Sequence, residues 1–442
     1  MSSGGQKTLQ VQTLGCSKNQ VDTEHLLSRL ESHYRILPEE ADERVDCLLV
    51  NTCGFIGDAK EESVQAVLEA ARRKQEGQVG KLYVFGCLSQ RYSDELPGLI
   101  PEVDGWFGAR DLDPIVRALV PGTPSPSPSG RYRTDPAHGY AYLKISEGCD
   151  RHCSYCAIPL IRGPHRSVPV EALVAEARAL AASGVRELIL IAQDTTFYGL
   201  DLYRRRALAE LIRALSGIEA IEWIRIHYSY PSDFPEDVLE EMASNPKVCK
   251  YLDIPLQHIA DPVLTAMRRH IDGAATRRLI ERIRERVPGV VLRTTMIVGH
   301  PGEGKRAFAE LLDFVREARF ERLGAFTYSE EEGTYGASAF KDTVSAREKE
   351  RRLRELMTLQ RDISLAFNES RVGTCERVLV DGASGDTLVC RSRYESPDVD
   401  GEILVPYSPD FFAGRPAASL FGSFIDVRIT GADEYDLSAQ PL

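Results

Sequence analysis

The sequence contains no uninterrupted apolar run of the roughly 18 residues that a membrane-spanning helix requires. No signal-peptide pattern opens the chain, so the sequence predicts a cytoplasmic protein. Basic charge is not in excess, because 54 lysines and arginines face 66 aspartates and glutamates, for a formal net charge of −12. That balance argues against a general binder of polyanions. A solenoid-type repeat is also absent, which argues against a stacked-repeat architecture.

The 442 residues suffice for several domains, and a hydrophobic content of 43% argues against wholesale disorder. Near the start of the chain, apolar runs at 9–14, 45–50 and 82–85 alternate with helical patterns at 21–30 and 59–73. Such alternation predicts a parallel sheet covered by helices, and therefore an α/β domain over residues 1–120. A stretch rich in Pro, Ser and Gly then begins a predicted linker, residues 121–138.

Six further strand–helix units predict a partial (β/α)6 barrel over residues 139–344. Its predicted strands are 141–145, 187–192, 223–228, 250–254, 290–298 and 322–328. A long charged helix follows and forms the predicted connecting segment, residues 345–371. Four short strands at 378–380, 387–390, 403–405 and 425–429 predict a small all-β barrel over residues 372–442.

Three of the ten cysteines are tightly clustered just after the first predicted barrel strand. Cys149, Cys153 and Cys156, the loop trio, have the spacing CxxxCxxC. Three thiolates on one short loop can hold three corners of a 4Fe–4S cluster and leave its fourth iron open. The alternative is a zinc site completed by His152 or His165, although structural zinc prefers paired CxxC motifs.

The loop trio resembles the signature of the radical S-adenosylmethionine (SAM) superfamily, which has an aromatic residue before the last cysteine. Tyr155 occupies that position. The resemblance implies that SAM binds the open iron, with Tyr155 beside it. It also implies that one electron cleaves SAM to a 5′-deoxyadenosyl radical, which abstracts hydrogen from the substrate.

Three other cysteines are far apart in sequence, yet each lies at or just past the end of a predicted strand. Cys16, Cys53 and Cys87, the auxiliary trio, each have a glycine neighbour. If their strands are parallel neighbours, the three thiols converge on one crevice. The alternative is three independent buried cysteines. For the remaining four we predict a packing role: Cys47, Cys249, Cys375 and Cys390.

The whole arrangement resembles the methylthiotransferases, which combine a three-cysteine domain, a radical SAM core and a β-barrel of the TRAM type. The resemblance implies a second 4Fe–4S cluster on the auxiliary trio, with its open iron carrying sulfur. One SAM would methylate this sulfur and a second SAM would generate the radical. A non-enzymatic iron–sulfur carrier is a further alternative, but it leaves the SAM-type motif of the loop trio unexplained.

Known methylthiotransferases modify either tRNA adenosines or the β-carbon of an aspartate in small-subunit ribosomal protein twelve. Residues 371–442 contain six arginines, no lysine and twelve acidic residues. This charge is unsuited to grip RNA phosphates and suits a basic protein instead. Four segments resemble the ribosomal-protein branch: TLGCSKN (13–19), QDTT (193–196), YSEEEGT (328–334) and SPDVDG (396–401). We therefore predict the ribosomal protein as partner, tRNA as the alternative substrate, and a monomeric enzyme.

The resemblance also directs attention to loops after two core strands. Gln193 and Asp194 follow the second strand, and Gly299, Gly302 and Glu303 follow the fifth, so all five are predicted SAM contacts together with Tyr155. Two positions depart from the family pattern: Ser17 replaces a usual proline and His300 a usual phenylalanine. Arg162 and Arg166, after the cysteine loop, are predicted either to meet a carboxylate or to lie on the surface.

Overall fold

The computed structural model describes residues 6–121 and 130–442 of the chain. Most of the Pro- and Ser-rich part of the predicted linker lies outside the described residues. The described end of that segment, residues 130–138, has no regular element, but the side chain of Arg131 is buried and forms a salt bridge of 2.5 Å with Glu24. The end of the segment is therefore fastened to the N-terminal domain.

The N-terminal domain is a parallel five-stranded sheet in the order β2-β1-β3-β4-β5, with helices on both faces. Along β3, Cys47 and Leu49 pack against α1 and α5, whereas Leu48 and Val50 pack against α2. This alternation is the period-two pattern of a strand buried on both faces. The elements are β1 Lys7–Thr13, α1 Ser17–Leu30, β2 Tyr34–Leu37, β3 Val45–Thr52, α2 Gly57–Gln75, β4 Val79–Gly86, α3 Cys87–Arg91, α4 Leu96–Leu99, β5 Gly105–Trp106 and α5 Asp113–Leu119.

The core domain is a parallel six-stranded sheet whose strands follow chain order, β6-β9-β10-β11-β12-β13. All six predicted strands are present, and the sheet is the expected open (β/α)6 unit. Its elements are β6 Tyr140–Lys144, β7 Ser146–Glu147, α6 Ile158–Arg162, β8 Arg166–Ser167, α7 Val170–Ala182, β9 Glu187–Ile191, α8 Leu200–Tyr203, α9 Leu208–Ser216, β10 Trp223–Ile226, α10 Glu236–Ser244, β11 Val248–Asp253, α11 Asp261–Ala266, α12 Gly273–Arg286, β12 Val291–Val298, α13 Lys305–Ala318, β13 Arg322–Thr327 and α14 Tyr335–Ala339.

A 26-residue helix leads from the core into a closed five-stranded barrel of order β14-β15-β16-β18-β17. Its N-cap is Ser345, whose hydroxyl accepts a hydrogen bond from the backbone amide of Glu348. The prediction of an all-β barrel is confirmed, with one additional strand, β18. The elements are α15 Ala346–Arg371, β14 Cys375–Ser384, β15 Thr387–Arg391, β16 Ile403–Pro406, β17 Phe424–Ala432 and β18 Leu437–Pro441.

The two flanking domains share one face of the core sheet. The core helices pack on one face, with Leu188 and Leu190 of β9. On the opposite face, Ile189 and Ile191 contact Val21 of α1, and Trp223 meets Phe424 of the barrel with ring centroids 4.7 Å apart. The N-terminal domain and the barrel therefore both rest on the sheet face that the core helices leave open.

Candidate active site

The auxiliary trio lies at one edge of the N-terminal sheet. Cys16 immediately precedes α1, Cys53 follows β3, and Cys87 begins α3 directly after β4. Because β1, β3 and β4 are adjacent and parallel, the three chain turns meet at the same edge. Cys16 is exposed, whereas Cys53 and Cys87 are buried. The predicted convergence of the three strand ends is therefore present in the fold.

Electrostatics give a second indication that these three thiols are neighbours. The pKa of Cys53 is raised to about 11, first by burial and then by the charges of Cys16 and Cys87, which outweigh the opposing hydrogen bond from the Phe55 amide. Burial likewise raises the pKa of Cys87, although the nearby Arg162 guanidinium opposes the shift. Without a bound cation, burial therefore favours the protonated form of Cys53 and Cys87.

The loop trio lies between β7 and α6. The amide of Cys149 donates to the Gly163 carbonyl at 3.0 Å, and the amide of Cys156 donates to the Cys153 carbonyl at 3.1 Å. Burial raises the pKa of Cys149 to about 12, with a further contribution from Cys153. The pKa of Cys156 is also raised, first by burial and then by Cys153. These three thiols thus form one electrostatically connected group.

Both trios have the donor chemistry of a cluster site. Within the described residues, no three His, Cys, Asp or Glu side chains are grouped as the ligands of a single metal ion. A four-iron cluster is larger than one ion, and its thiolate ligands stand farther apart. A bound cationic iron core would also reverse the preference for protonated thiols. Each trio therefore supplies three thiols, the number and type of donor that a 4Fe–4S cluster with one open iron requires.

A buried ionic network, which the sequence did not reveal, lies between the two trios. Arg162 donates to Asp22 at 2.6 Å and to Glu147 at 3.1 Å. Lys144 also bonds both carboxylates. Burial acts to raise the pKa of Glu147, but Lys144 and Arg162 overcome it and hold that pKa at about 2. Of the two alternatives predicted for Arg162, the surface position is wrong, because its side chain is buried and meets two carboxylates of the chain itself, whereas Arg166 is exposed.

Each trio also receives one arginine donor. Arg162 Nε donates to Cys87 Sγ at 3.3 Å, and Arg269 Nη1 donates to Cys153 Sγ at 3.4 Å. Arg269 is buried and lies 4.2 Å from the ring centroid of Tyr230. These donors were not predicted, because only the folded chain brings them to the sulfurs.

Three predicted SAM contacts lie around the loop trio. Gln193 Nε2 donates to Glu147 at 2.6 Å, while its Oε1 is buried without a hydrogen-bond partner. Both carboxylate oxygens of Asp194 are engaged, one by Arg151 at 2.7 Å and the other by the Thr196 amide at 2.9 Å. The Tyr155 hydroxyl accepts from Arg269 at 3.4 Å.

The other three predicted contacts belong to the loop after β12, and two of them face α15. A Cβ added to Gly299 would lie only 2.4 Å from the Cγ of Lys349 in that helix. The Lys349 side chain therefore fills the space that a side chain at position 299 would need. Glu303 is buried, accepts from the Gly299 amide and lies 3.4 Å from Arg352. Gly302, at φ +89°, has open space around it. Their role as SAM contacts stays a prediction.

His300, at the position where the family pattern has phenylalanine, packs among aromatic side chains. Its ring is buried and meets Tyr328 edge to face at 5.0 Å and Phe340 at 5.9 Å. Burial lowers the pKa of His300, with a contribution from His258, which keeps the ring neutral in its aromatic surroundings.

A cleft of about 770 Å³ opens beside Cys16. The N-terminal domain, the segment before β6, the core and the barrel loop 397–399 all contribute to its walls. Its lining includes four carboxylates and neither lysine nor arginine; the carboxylates are Glu39, Glu40, Asp135 and Asp398. The exposed thiol of the auxiliary trio therefore faces an acidic cleft.

Outside the trios, Cys47, Cys249 and Cys390 are buried as predicted, whereas Cys375 at the start of β14 is exposed. The packing prediction for Cys375 is wrong. A strand's first residue can lie beyond the barrel interior, as this one does. None of the helices that the structure describes is long and apolar enough to cross a membrane.

Comparison with known proteins places the three domains in recognised families. Residues 8–108 match the uncharacterized protein family UPF0004, residues 143–315 the Radical SAM superfamily and residues 372–442 the TRAM domain. The chain is 51% identical to the ribosomal protein uS12 methylthiotransferase RimO of Porphyromonas gingivalis, over 97% of each chain. It is 46% identical to the protein of the same name from Phocaeicola vulgatus, over 98% of this chain and 99% of that one.

A solved structure shares the fold at low sequence identity. The radical S-adenosylmethionine methyltransferase TsrM from Kitasatospora setae superposes with a TM-score of 0.55 at 14% identity. The match covers 75% of this chain and 74% of TsrM. Identity this low supports a shared fold alone.

Proposed function

Because this chain belongs to the RimO family of radical SAM methylthiotransferases, we propose that it adds a methylthio group to ribosomal protein uS12. The acceptor is the β-carbon of one aspartate in that protein. One observation carries the proposal: two separate thiol trios flank a buried network, and one of them opens on an acidic cleft of about 770 Å³.

Six thiols are the proposed ligands of two 4Fe–4S clusters. Cys149, Cys153 and Cys156 hold the cluster that binds SAM, and Cys16, Cys53 and Cys87 hold the auxiliary cluster. When bound, these groups and two SAM molecules supply the one-electron chemistry that removes hydrogen, and the sulfur that replaces it. The chain itself holds the two sites in a fixed relation through the buried network around Arg162.

The SAM pocket is proposed to include Gln193, Asp194, Tyr155, Gly299, Gly302 and Glu303. Gln193 has the clearest geometric support, because its buried Oε1 lacks a partner and can accept from the amino group of SAM. The carboxylate of Asp194 is already engaged by Arg151, so its contribution is to fix the strand end. Tyr155 adds an aromatic wall that Arg269 holds in place.

The acidic cleft supports a basic protein as substrate. Four carboxylates in the cleft repel the phosphates of RNA and attract lysine and arginine side chains. The same charge extends over the barrel, where twelve acidic residues face six arginines in residues 371–442. A tRNA substrate would have to approach Cys16 through this negative field.

The decisive experiment compares a strain lacking this gene with the same strain complemented. Intact-mass measurement of uS12 and nucleoside analysis of tRNA are made on both. We expect uS12 to lose one methylthio group in the deletion strain, and tRNA nucleosides to be unchanged. Complementation with Cys53→Ala should not restore the modification, whereas the matched control Cys375→Ala should. A loss of tRNA methylthiolation with intact uS12 would overturn the substrate assignment.

The proposed domains are residues 1–120, 139–344 and 372–442, joined by a linker at 121–138 and a connecting helix at 345–371. The enzyme is proposed to act as a cytoplasmic monomer, with an electron donor still to be identified.

A further inference from the structure

Arg162 joins the two thiol trios in a way that the proposed function does not itself require. It is the last residue of α6, which follows Cys156, and its side chain is only 2% exposed. Every side-chain nitrogen of Arg162 has a hydrogen-bond acceptor: Nε has one, Nη2 has one and Nη1 has three. A guanidinium that is so enclosed has one geometry, so its contacts are fixed by the fold.

On the auxiliary side, Arg162 bonds both a ligand sulfur and the residue that organises the turns. Its Nε donates to Cys87 Sγ at 3.3 Å, and its Nη2 donates to Asn19 Oδ1 at 2.6 Å. The Asn19 amide in turn donates to the carbonyl of Leu14 at 2.8 Å and to that of Thr52 at 3.2 Å. Those carbonyls lie just before Cys16 and Cys53, so Arg162 supports all three cysteine turns.

On the core side, Arg162 reaches the loop trio through one carboxylate. Its Nη1 donates to Glu147 at 3.1 Å. Only one glycine separates Glu147 from Cys149 in the sequence. With Asp22 and Lys144, the network contains two cations and two carboxylates, so its charges balance. A balanced network can stay buried, and losing one member would leave a charge without its partner.

We propose that Arg162 is a positioning residue that hydrogen-bonds the Cys87 sulfur, increases the electron affinity of the auxiliary cluster, and fixes that cluster relative to the loop trio. The inference rests on the auxiliary cluster proposed above. Hydrogen bonds to ligand sulfurs, and nearby positive charge, favour the reduced state of an iron–sulfur cluster because reduction adds negative charge. A guanidinium keeps its proton throughout the working range of pH, so this contribution is constant.

The test measures the reduction potential of the auxiliary cluster alone. The full-length triple variant Cys149→Ala/Cys153→Ala/Cys156→Ala keeps only the auxiliary trio, and Arg162→Met is added to it. The matched control is Arg110→Met, because Arg110 also bonds across the domain boundary, to the carbonyls of Ile161 at 2.9 Å and Leu160 at 2.6 Å, without touching a sulfur.

We expect Arg162→Met to lower the equilibrium constant for one-electron reduction at least tenfold, a shift of about 59 mV in an EPR-monitored titration. Arg110→Met should leave the potential unchanged. An unchanged potential in Arg162→Met, with about four irons still bound, would overturn the proposal. A triple variant that binds no iron would instead contradict the auxiliary cluster itself, so the two failures are distinguishable.

A second pair of variants covers the case in which Arg162→Met assembles no cluster. Arg162→Lys keeps the positive charge, and Arg162→Gln keeps a donor group without the charge. We expect a lower reduction potential of the auxiliary cluster in Arg162→Gln than in Arg162→Lys, because only the lysine variant keeps the positive charge. Equal potentials in these two variants would contradict it.

Discussion

At the scale of single residues, the backbone of Gly15 is a tight constraint on the auxiliary site. Its φ is +91°, and a Cβ at this position would lie 2.7 Å from the Cβ of Cys53 and 3.0 Å from its sulfur. A side chain here would therefore be strained by its own backbone and would also push directly on a proposed ligand. Gly15 lets the turn before Cys16 approach the turn that carries Cys53.

Replacing Gly15 should therefore disable one cluster site selectively. We expect Gly15→Ala to retain about four of about eight irons after reconstitution, because the loop trio is untouched. The matched control is Gly77→Ala, since Gly77 has a φ of +80° but nothing within 4 Å of its would-be Cβ. If Gly77→Ala loses iron to the same extent, the contact with Cys53 is not the cause.

Substitution of the proposed ligand cysteines tests the number of clusters most directly. Wild-type protein should bind about eight irons per chain, and Cys53→Ala and Cys153→Ala should each bind about four. Cys375→Ala removes an exposed cysteine outside both trios and should leave the iron content unchanged. Iron quantification against protein concentration is the measurement. A wild-type content of about four irons would count against the two-cluster proposal.

The sequence allowed the two cysteine trios to be predicted, but it did not reveal the polar groups around them. Cys16, Cys53 and Cys87 could be grouped because each follows a predicted strand, and parallel strand ends converge. Arg162 could not be assigned, because its partners Asn19 and Asp22 precede it by more than a hundred residues and carry no local motif. Their proximity exists only after α1 has packed against the core sheet.

At the scale of secondary-structure elements, a buried ionic cluster fastens the barrel to the core. Glu187 of β9 accepts from Arg225 of β10 at 2.7 Å and from Arg391 of β15 at 3.0 Å, and the Glu187 and Arg225 side chains have no exposed surface. Burial acts to raise the pKa of Glu187, but the two guanidinium groups hold it below its usual value. The carboxylate is therefore kept charged by partners from two domains.

Removing one of these partners should destabilise the protein strongly. Arg391→Met leaves Glu187 with one cationic partner instead of two, and it removes the 2.5 Å ion pair between Arg391 and Asp381. Because a buried carboxylate then lacks a partner, we expect the free energy of unfolding to fall by about 3–5 kcal/mol. Arg377→Met is the control, because Arg377 also joins barrel to core, through Glu222, but is half exposed; we expect about 1 kcal/mol or less. Urea denaturation of the apoprotein measures both. Equal losses would contradict the assigned role of burial.

Elements were predicted well where they are long and periodic, and poorly where they are short. All six core strands follow from apolar runs, whereas β2 and β5, the outer strands of the N-terminal sheet, were missed. β5 has only two residues, too few to show any period. β18 does alternate, with Leu437 and Ala439 buried, but its polar composition conceals this.

At the scale of the whole molecule, three separate parts of the chain contribute carboxylates to one acidic cleft. Glu39 and Glu40 follow β2 of the N-terminal domain, Asp135 precedes the core, and Asp398 belongs to the barrel. Asp398 is held in place by the Tyr142 hydroxyl, which donates to it at 2.9 Å. The net charge of the barrel was visible in the sequence, but the contribution of the N-terminal domain was not, because it depends on how the domains are arranged.

Because the carboxylates line the cleft, we predict that a charge change there weakens substrate binding more than the same change elsewhere on the surface. Glu40 is exposed and its carboxylate has no structural hydrogen bond within the described residues, so Glu40→Lys changes the field with little effect on the fold. We expect this variant to raise the KM for uS12 roughly fivefold, equivalent to about 1 kcal/mol, and the effect to shrink as salt screens the field. Asp410→Lys makes the same change of net charge on an exposed barrel residue outside the cleft lining, and its KM should stay within a factor of about two. Steady-state kinetics with uS12 at low and high ionic strength provide the measurement. Equal increases in KM for both variants would mean that overall charge, rather than the cleft, attracts the substrate.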